Sequence, residues 1–289
     1  MKKLFLIFLL VLIPTVIHGS TRVIPWPNLP IGSPLLLDKV DSANLYSAYS
    51  VSRKLRNGYS GAAFQVRRAS DNTTTNIGFI GTAVDTAGLL AFCSGTDGFL
   101  PIVYNQGPAS SRDIASASGN QPKIVTAGVL ETGNNSRPCM VFDGSDDFLN
   151  LTATIALPVS FYIVVANTST VNIDTIIYGG STTRASLKQR TGPLFGLNSG
   201  TDQTYSSYVN GNWYLVRATF QSGNEAFRLN ANSEDATKDA GSNSVTSLGF
   251  GAATATGQFK SSELIYFNQG THADEATILA DINAHYALY

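Results

Sequence analysis

From about Ala62 to Phe267 the chain alternates short apolar runs with clusters of Gly, Asn, Asp and Ser. The runs are AAFQVRR (62–68), GFLPIVYN (98–105), RPCMVFDG (137–144), SFYIVVAN (160–167), DTIIYGG (174–180), PLFGLN (193–198), WYLVRATF (213–220), EAFRLNAN (225–232), SLGFGA (247–252) and SELIYFN (262–268). Each has the length of a strand and is bounded by turn residues, a spacing that predicts a β-sandwich or barrel. FYIVVA (161–166) and LIYF (264–267) are apolar at both parities, so their strands should be covered on both faces.

Two segments carry helical periodicity instead. DTAGLLAF (85–92) is long enough for one or two turns. The closing THADEATILADINAHYALY (271–289) offers Thr271 as an N-cap with Asp274 three residues on, and Ile278, Leu279, Ile282 and Tyr286 at helical spacing. That apolar stripe should pack on a sheet.

Composition sharpens this outline. With 289 residues, 43% hydrophobic and 13% charged, the chain can bury one large core. Nineteen Lys and Arg against twenty Asp and Glu leave a formal charge of -1, so no bulk field favours nucleic acid or an anionic membrane. At the start, Lys2 and Lys3 precede an apolar run from Leu4 to Ile17 that is short for a membrane span. Residues 1–19 therefore read as a signal peptide or a retained N-terminal anchor, with no other membrane span. A proline-rich leader follows at 20–37, then one domain at 38–289. A secreted or cell-surface location follows, a virion surface included. Cys93 and Cys139 could form one disulfide or remain two buried thiols. Together with His18, His272 and His285 they offer no zinc spacing.

LYSAYS (45–50), GAAFQVRRASDN (61–72), IGF (77–79), AFCSGTDGFLPIVYNQ (91–106) and FDGSDDFL (142–149) together resemble the catalytic domain of the B-type α-L-arabinofuranosidases. The resemblance implies an all-β, concanavalin A-like jelly-roll sandwich of the lectin and glucanase kind, with a short internal helix and a C-terminal helix. WYLVRATF and ELIYFNQGTHADEATILADINAHY resemble the closing half of laminin-G-like modules, and the combination looks like modules of bacterial surface proteins and phage fibres. The family's motifs differ at four places, one of them SGTDG (94–98), where Asp97 and Gly98 stand and the family's cysteine facing Cys93 is absent. YGG (178–180) is followed by Ser181 and Thr182 where the family has two adjacent cysteines. LGFGAATATG (248–257) has Ala252 and Ala253 where the family's acid/base aspartate follows a Gly-Gly. PLFGLNSG (193–200) offers Asn198 in place of a Glu-Asn-Gly nucleophile segment.

Those differences make noncatalytic recognition of a polysaccharide or cell-surface glycan the expected function. An α-L-arabinofuranosidase-like hydrolase and a structural or adhesive surface protein are the alternatives. A hydrolase needs two carboxylates across the scissile bond. Glu263 shares strand parity with Phe259, Ile265 and Phe267 and so points inward, with Asp174 or Asp202 as its partner. Tyr205 and Tyr208 in a polar run, Trp213 at a strand start, and Asn198 are the expected glycan contacts. Asp143, Asp146 and Asp147 bring hard oxygens together and could hold calcium, the one cofactor the sequence suggests; a tight turn explains the same letters. Arg67 and Arg68 alternate across a strand and read as architecture, one solvated and one paired with the Ser70-Asp71-Asn72 turn.

Overall fold

A computed structural model describes residues 32–109, 111–169, 174–180, 184–252 and 257–289, without the side chains of Asp174 and Tyr178. The signal peptide or anchor and most of the leader fall outside these residues. Residues 34–289 form an all-β sandwich with two helices.

The back sheet is organised around strand Gln258–Phe267. Along one edge it pairs with Met140–Asp143 and Leu45–Ser50, and along the other with Val159–Asn167. Trp213–Phe220 and Ala226–Leu229 extend that second side. The front sheet runs Phe148–Ile155, Val245–Gly251, Asp174–Tyr178, Ser186–Arg190, Leu194–Asn198, Asp202–Ser207, antiparallel throughout. Gly98–Val103 joins the back sheet through Lys123–Thr126, which pairs with Met140–Asp143; Ile114–Ala115 bonds to Gly98–Val103 on one side and to Phe148–Ile155 on the other, so hydrogen bonding passes from one sheet to the other.

Between the sheets lies a core that includes Phe142, Phe161, Phe195, Phe227, Phe250 and Phe259. A second apolar layer covers the outer side of the back sheet, where helix α2 (Glu275–Tyr286) sets Ile278, Leu279, Ile282 and Tyr286 against Tyr162, Val164, Leu215, Ile265 and Phe267. Strand Val159–Asn167 is buried at every position because it lies between these two layers, as its unbroken apolar run predicts.

Helix α1 (Thr86–Phe92) is capped by Asp85, whose carboxylate accepts from Gly88 N at 2.8 Å. Helix α2 begins four residues beyond Thr271, with Asp274 at its N-cap. Asp274 instead accepts from Asp41 N at 2.7 Å, which ties the helix start to the beginning of the domain. Arg68 forms a two-bond pair with Asp71 at 2.6 and 2.9 Å, while Arg67 donates to Gln121 and Asn72. Both guanidinium groups are held by neighbouring side chains, so neither is the solvated one that the sequence suggests. Cys93 and Cys139 are separate buried thiols.

Candidate active site

Strand Ser186–Arg190 (SLKQR) is buried at all five positions although two of its residues are cations. Leu187 and Gln189 pair with Leu197 and Phe195 on the core side. Alternation turns Ser186, Lys188 and Arg190 to the outer face, across from Asn198, Gly196 and Leu194. Asn198 in turn pairs with Asp202, and Thr175 lies opposite Lys188 on the other neighbouring strand. The outer face of the front sheet is thus a polar patch built by strand register.

Asp202 is its hub. The half-exposed carboxylate forms ion pairs with Lys188, at 3.3 Å, and with Arg190, and it accepts a short hydrogen bond from Asn198 Nδ2. Asn198 Oδ1 accepts from Gly200 N at 2.9 Å, which fixes the amide's orientation. Burial pushes the Asp202 carboxyl up, but the Asn198 bond and the charges of Lys188 and Arg190 outweigh it, so the net shift is downward. Burial likewise depresses the Lys188 ammonium; Asp202 works against that and Arg190 with it. Gly196 leaves the room that Arg190 uses: a Cβ there would stand 2.5 Å from Arg190 Nε.

Glu225 reaches the same end of the sheet from the core side. It is fully buried, burial raises its carboxyl, and Oε2 accepts from Ala240 N at 2.7 Å. Ala240 O in turn accepts from Ser199 N and Thr201 N, the turn that carries the chain from Asn198 to Asp202.

Glu263 is inward-facing as its sequence parity suggests, but into the other layer. The pairing with Val159–Asn167 slips between Val164 and Val165, which leaves Ser262 as a bulge and turns Glu263 to the α2 side while Phe259 faces the main core. There Arg53 donates to both carboxylate oxygens at 2.8 and 2.7 Å, and Tyr286 OH donates to Oε2 at 3.1 Å. Its contacts share no residue with those of Asp202, so the structure does not bring these two carboxylates together. The side chain of Asp174, the other expected partner, lies outside the described residues.

Tyr205 and Tyr208 are buried rather than displayed. Tyr205 stacks on Phe227 and donates to Glu225 O at 3.2 Å, and Tyr208 packs on Phe195 with ring centres 5.0 Å apart. Trp213 is half-buried beside Gly133 and helps line a shallow depression of about 370 Å³ with Asn134, Asn212 and Asn230.

Asp143, Asp146 and Asp147 do converge, with one carboxylate oxygen from each within 4.8 Å of the others. Asp147 Oδ2 accepts from Asp143 N at 2.9 Å and Asp143 Oδ1 from Ser145 N at 2.8 Å, the bonds of a tight turn. Burial, together with the neighbouring Asp143 and Asp146 charges, raises the Asp147 carboxyl to about 6. Hard oxygens so placed could take calcium. Asp143 and Asp147 also border a depression of about 420 Å³ lined by Arg67, Phe99, Gln121 and Lys123.

Residues 40–145 match the family model of the alpha-L-arabinofuranosidase B catalytic domain. Alpha-L-arabinofuranosidase B of Aspergillus kawachii is 31% identical over 118 residues, 39% of this chain and 19% of its own length. The probable alpha-L-arabinofuranosidase B of Aspergillus terreus is 39% identical over 62 residues, 21% of this chain and 12% of that protein. The chain thus spans about a fifth or less of the curated relatives it matches. Among solved structures, a GH54 α-L-arabinofuranosidase soaked with a cyclic sulfate inhibitor superposes with a TM-score of 0.66 at 15% identity, covering 84% of this chain and 63% of that one. An arabinofuranosidase complexed with arabinofuranosyl-alpha-1,2-xylobiose gives 0.65 at 18% identity with the same coverage. At that identity the structural likeness is one of fold.

These matches overturn the expectation of a noncatalytic recognition module. The matching family model is that of a catalytic domain, and the relatives are hydrolases. The expectation rests on missing family cysteines and on two motifs without their carboxylate, and it takes no account of the polar face that Lys188 and Arg190 build around Asp202. The available signal was two cations at alternate positions of a short strand flanked by apolar strands.

Proposed function

We propose that this chain is an arabinofuranosidase-like glycoside hydrolase that takes an arabinofuranosyl glycan on the outer face of the front sheet. The observation that carries this reading is Asp202, a half-exposed carboxylate kept ionised by Lys188, Arg190 and Asn198 on a sheet whose fold is shared with GH54 arabinofuranosidases. An ionised carboxylate fits the role that attacks or stabilises the anomeric carbon as the glycosidic bond breaks. A second, protonated carboxyl must supply the proton to the leaving oxygen. Asp174, on the strand next to Ser186–Arg190, is the candidate to test, with Glu225, buried on the core side, as the comparison.

The wider concanavalin A-like grouping and a laminin-G-like closing half belong to the same reading, supported by the two-sheet architecture and the terminal helix. Export is read from Lys2, Lys3 and the apolar run behind them.

Release of p-nitrophenol from p-nitrophenyl α-L-arabinofuranoside tests the proposal. Wild-type protein should turn the substrate over, and Asp202→Asn should lose about a hundredfold or more, the scale of a removed catalytic carboxylate. Asp174→Asn, run alongside, tests the proton donor, and Glu225→Gln serves as the core-side comparison. No turnover above blank by folded wild-type protein would overturn the assignment.

A further inference from the structure

Among the described residues, the polar face holds two buried cations against one carboxylate. We propose that this face recognises a uronate, the carboxylate of an acidic sugar neighbouring the arabinofuranosyl residue, through Lys188, Arg190 and Thr175. The inference rests on the reading of this face as the glycan site and names the class of glycan it selects.

Lys188 is 3% exposed and Arg190 6%. Among the described residues both are paired to the same counter-ion, Asp202, which is itself half-exposed. A buried cation is costly unless its charge is matched and its donors are used. Here the match is incomplete. Arg190 Nε has no hydrogen-bond partner among the described residues, and neither does Thr175 Oγ1, which is fully buried opposite Lys188 in the strand register. Unused donors opposite a lysine on the next strand and two residues along its own strand describe a place for an acceptor-rich, negatively charged group.

Neutral sugar hydroxyls would fill the hydrogen bonds and leave the extra charge unmatched. A carboxylate supplies both the acceptors and the charge, and a guanidinium with an ammonium beside it favours such a planar anion. Gly196, in register between Lys188 and Thr204, adds no side chain to the face.

Calorimetric titration with trigalacturonate, and with its carboxyl-reduced neutral counterpart, tests this without relying on any variant. Wild-type protein should bind the acidic trisaccharide at least about tenfold more tightly, the factor expected for one charge-assisted hydrogen bond, and the preference should shrink as salt rises. Lys188→Met and Arg190→Met, apolar replacements of similar length, should each erase most of that preference if they melt cooperatively. Equal affinity for the two trisaccharides, or no binding of trigalacturonate, would overturn the inference. So would an undiminished preference in both folded variants. The p-nitrophenyl α-L-arabinofuranoside assay separates the two readings. Turnover without acidic preference removes the uronate and keeps the hydrolase, and acidic preference without turnover does the reverse.

Discussion

Arg53 grips Glu263 through two hydrogen bonds of 2.8 and 2.7 Å at the interface between the back sheet and helix α2. The same guanidinium donates to Asp281 of the helix at 2.6 Å, and Asp281 also accepts from Lys39 at 2.6 Å. One arginine therefore ties a buried strand carboxylate to a helix, and the pair acts on stability. Arg53→Met leaves Glu263 buried without its counter-ion, which should cost about 3–5 kcal/mol. Urea titration measures this, while turnover per folded molecule should stay at the wild-type level. A catalytic Glu263 would show the opposite pattern, with activity lost in Glu263→Gln and stability kept.

Acid should weaken the fold through His285. Its pKa is pushed down to about 3, first by burial and then by the charges of Arg53 and Arg137, with Asp281 opposing, and its Nε2 lies 2.8 Å from Ser52 Oγ. In the unfolded chain the imidazole takes a proton near pH 6.5, so between about pH 6.5 and 3 the unfolded state binds more protons than the folded state. Stability from this group is complete above that window and falls as the pH drops through it. Melting temperatures of wild type and His285→Gln between pH 4 and 8 should converge in acid and separate at neutral pH.

Asp147 carries the opposite sign. Its carboxyl is raised to about 6, so on raising the pH from about 4 to 6 the unfolded state ionises first and the fold loses stability. Asp147→Asn keeps an acceptor for Asp143 N and removes the repulsion. It should stabilise the protein by on the order of 1–2 kcal/mol at pH 8 and little at pH 4. A variant that is instead less stable than wild type only when calcium is present would mark the 143–147 turn as a metal loop.

The two thiols should be silent in the native state. Cys139 is fully buried with its thiol pushed up to about 12 by burial, and burial also raises Cys93. Ellman's reagent should label neither at pH 8 until denaturant is added, when two thiols per chain react. Prompt labelling of a folded sample would contradict this.

Gly196→Ala probes the polar face without removing any of its charges. The added Cβ meets Arg190 at Nε and Cγ, so the Arg190 side chain must shift from its place beside Asp202. Turnover should fall by about tenfold or more while the melting temperature drops only a few degrees, as expected for a small clash on an outer face. An unchanged rate would separate the Arg190 position from catalysis.

The sandwich was legible from strand-length runs and turn clusters because apolar burial dictates both. Less legible were the elements whose outward faces are polar. SGTDQTYSSYVNGN (199–212) reads as a loop, yet Asp202–Ser207 is a strand in which Tyr205 points to the core while Thr204 and Ser206 alternate with it. The same alternation hid Lys188 and Arg190, since SLKQR looks solvated until its neighbours on both sides are known. For Glu263 the parity argument worked along Gln258–Phe267 only as far as the bulge at Ser262. A one-residue slip exchanges the faces of everything beyond it, and nothing in the letters marks where it falls. Asn198 is singled out in the sequence because the family resemblance points to its segment.

Lys39, Arg53 and Asp281 bring the start of the domain and its last helix together on the outer side of the back sheet, across the full thickness of the sandwich from Asp202. A tether fused at either end of 34–289 would leave from that side. The protein could then be anchored to a bead or a cell wall with the half-exposed Asp202 turned away from the support.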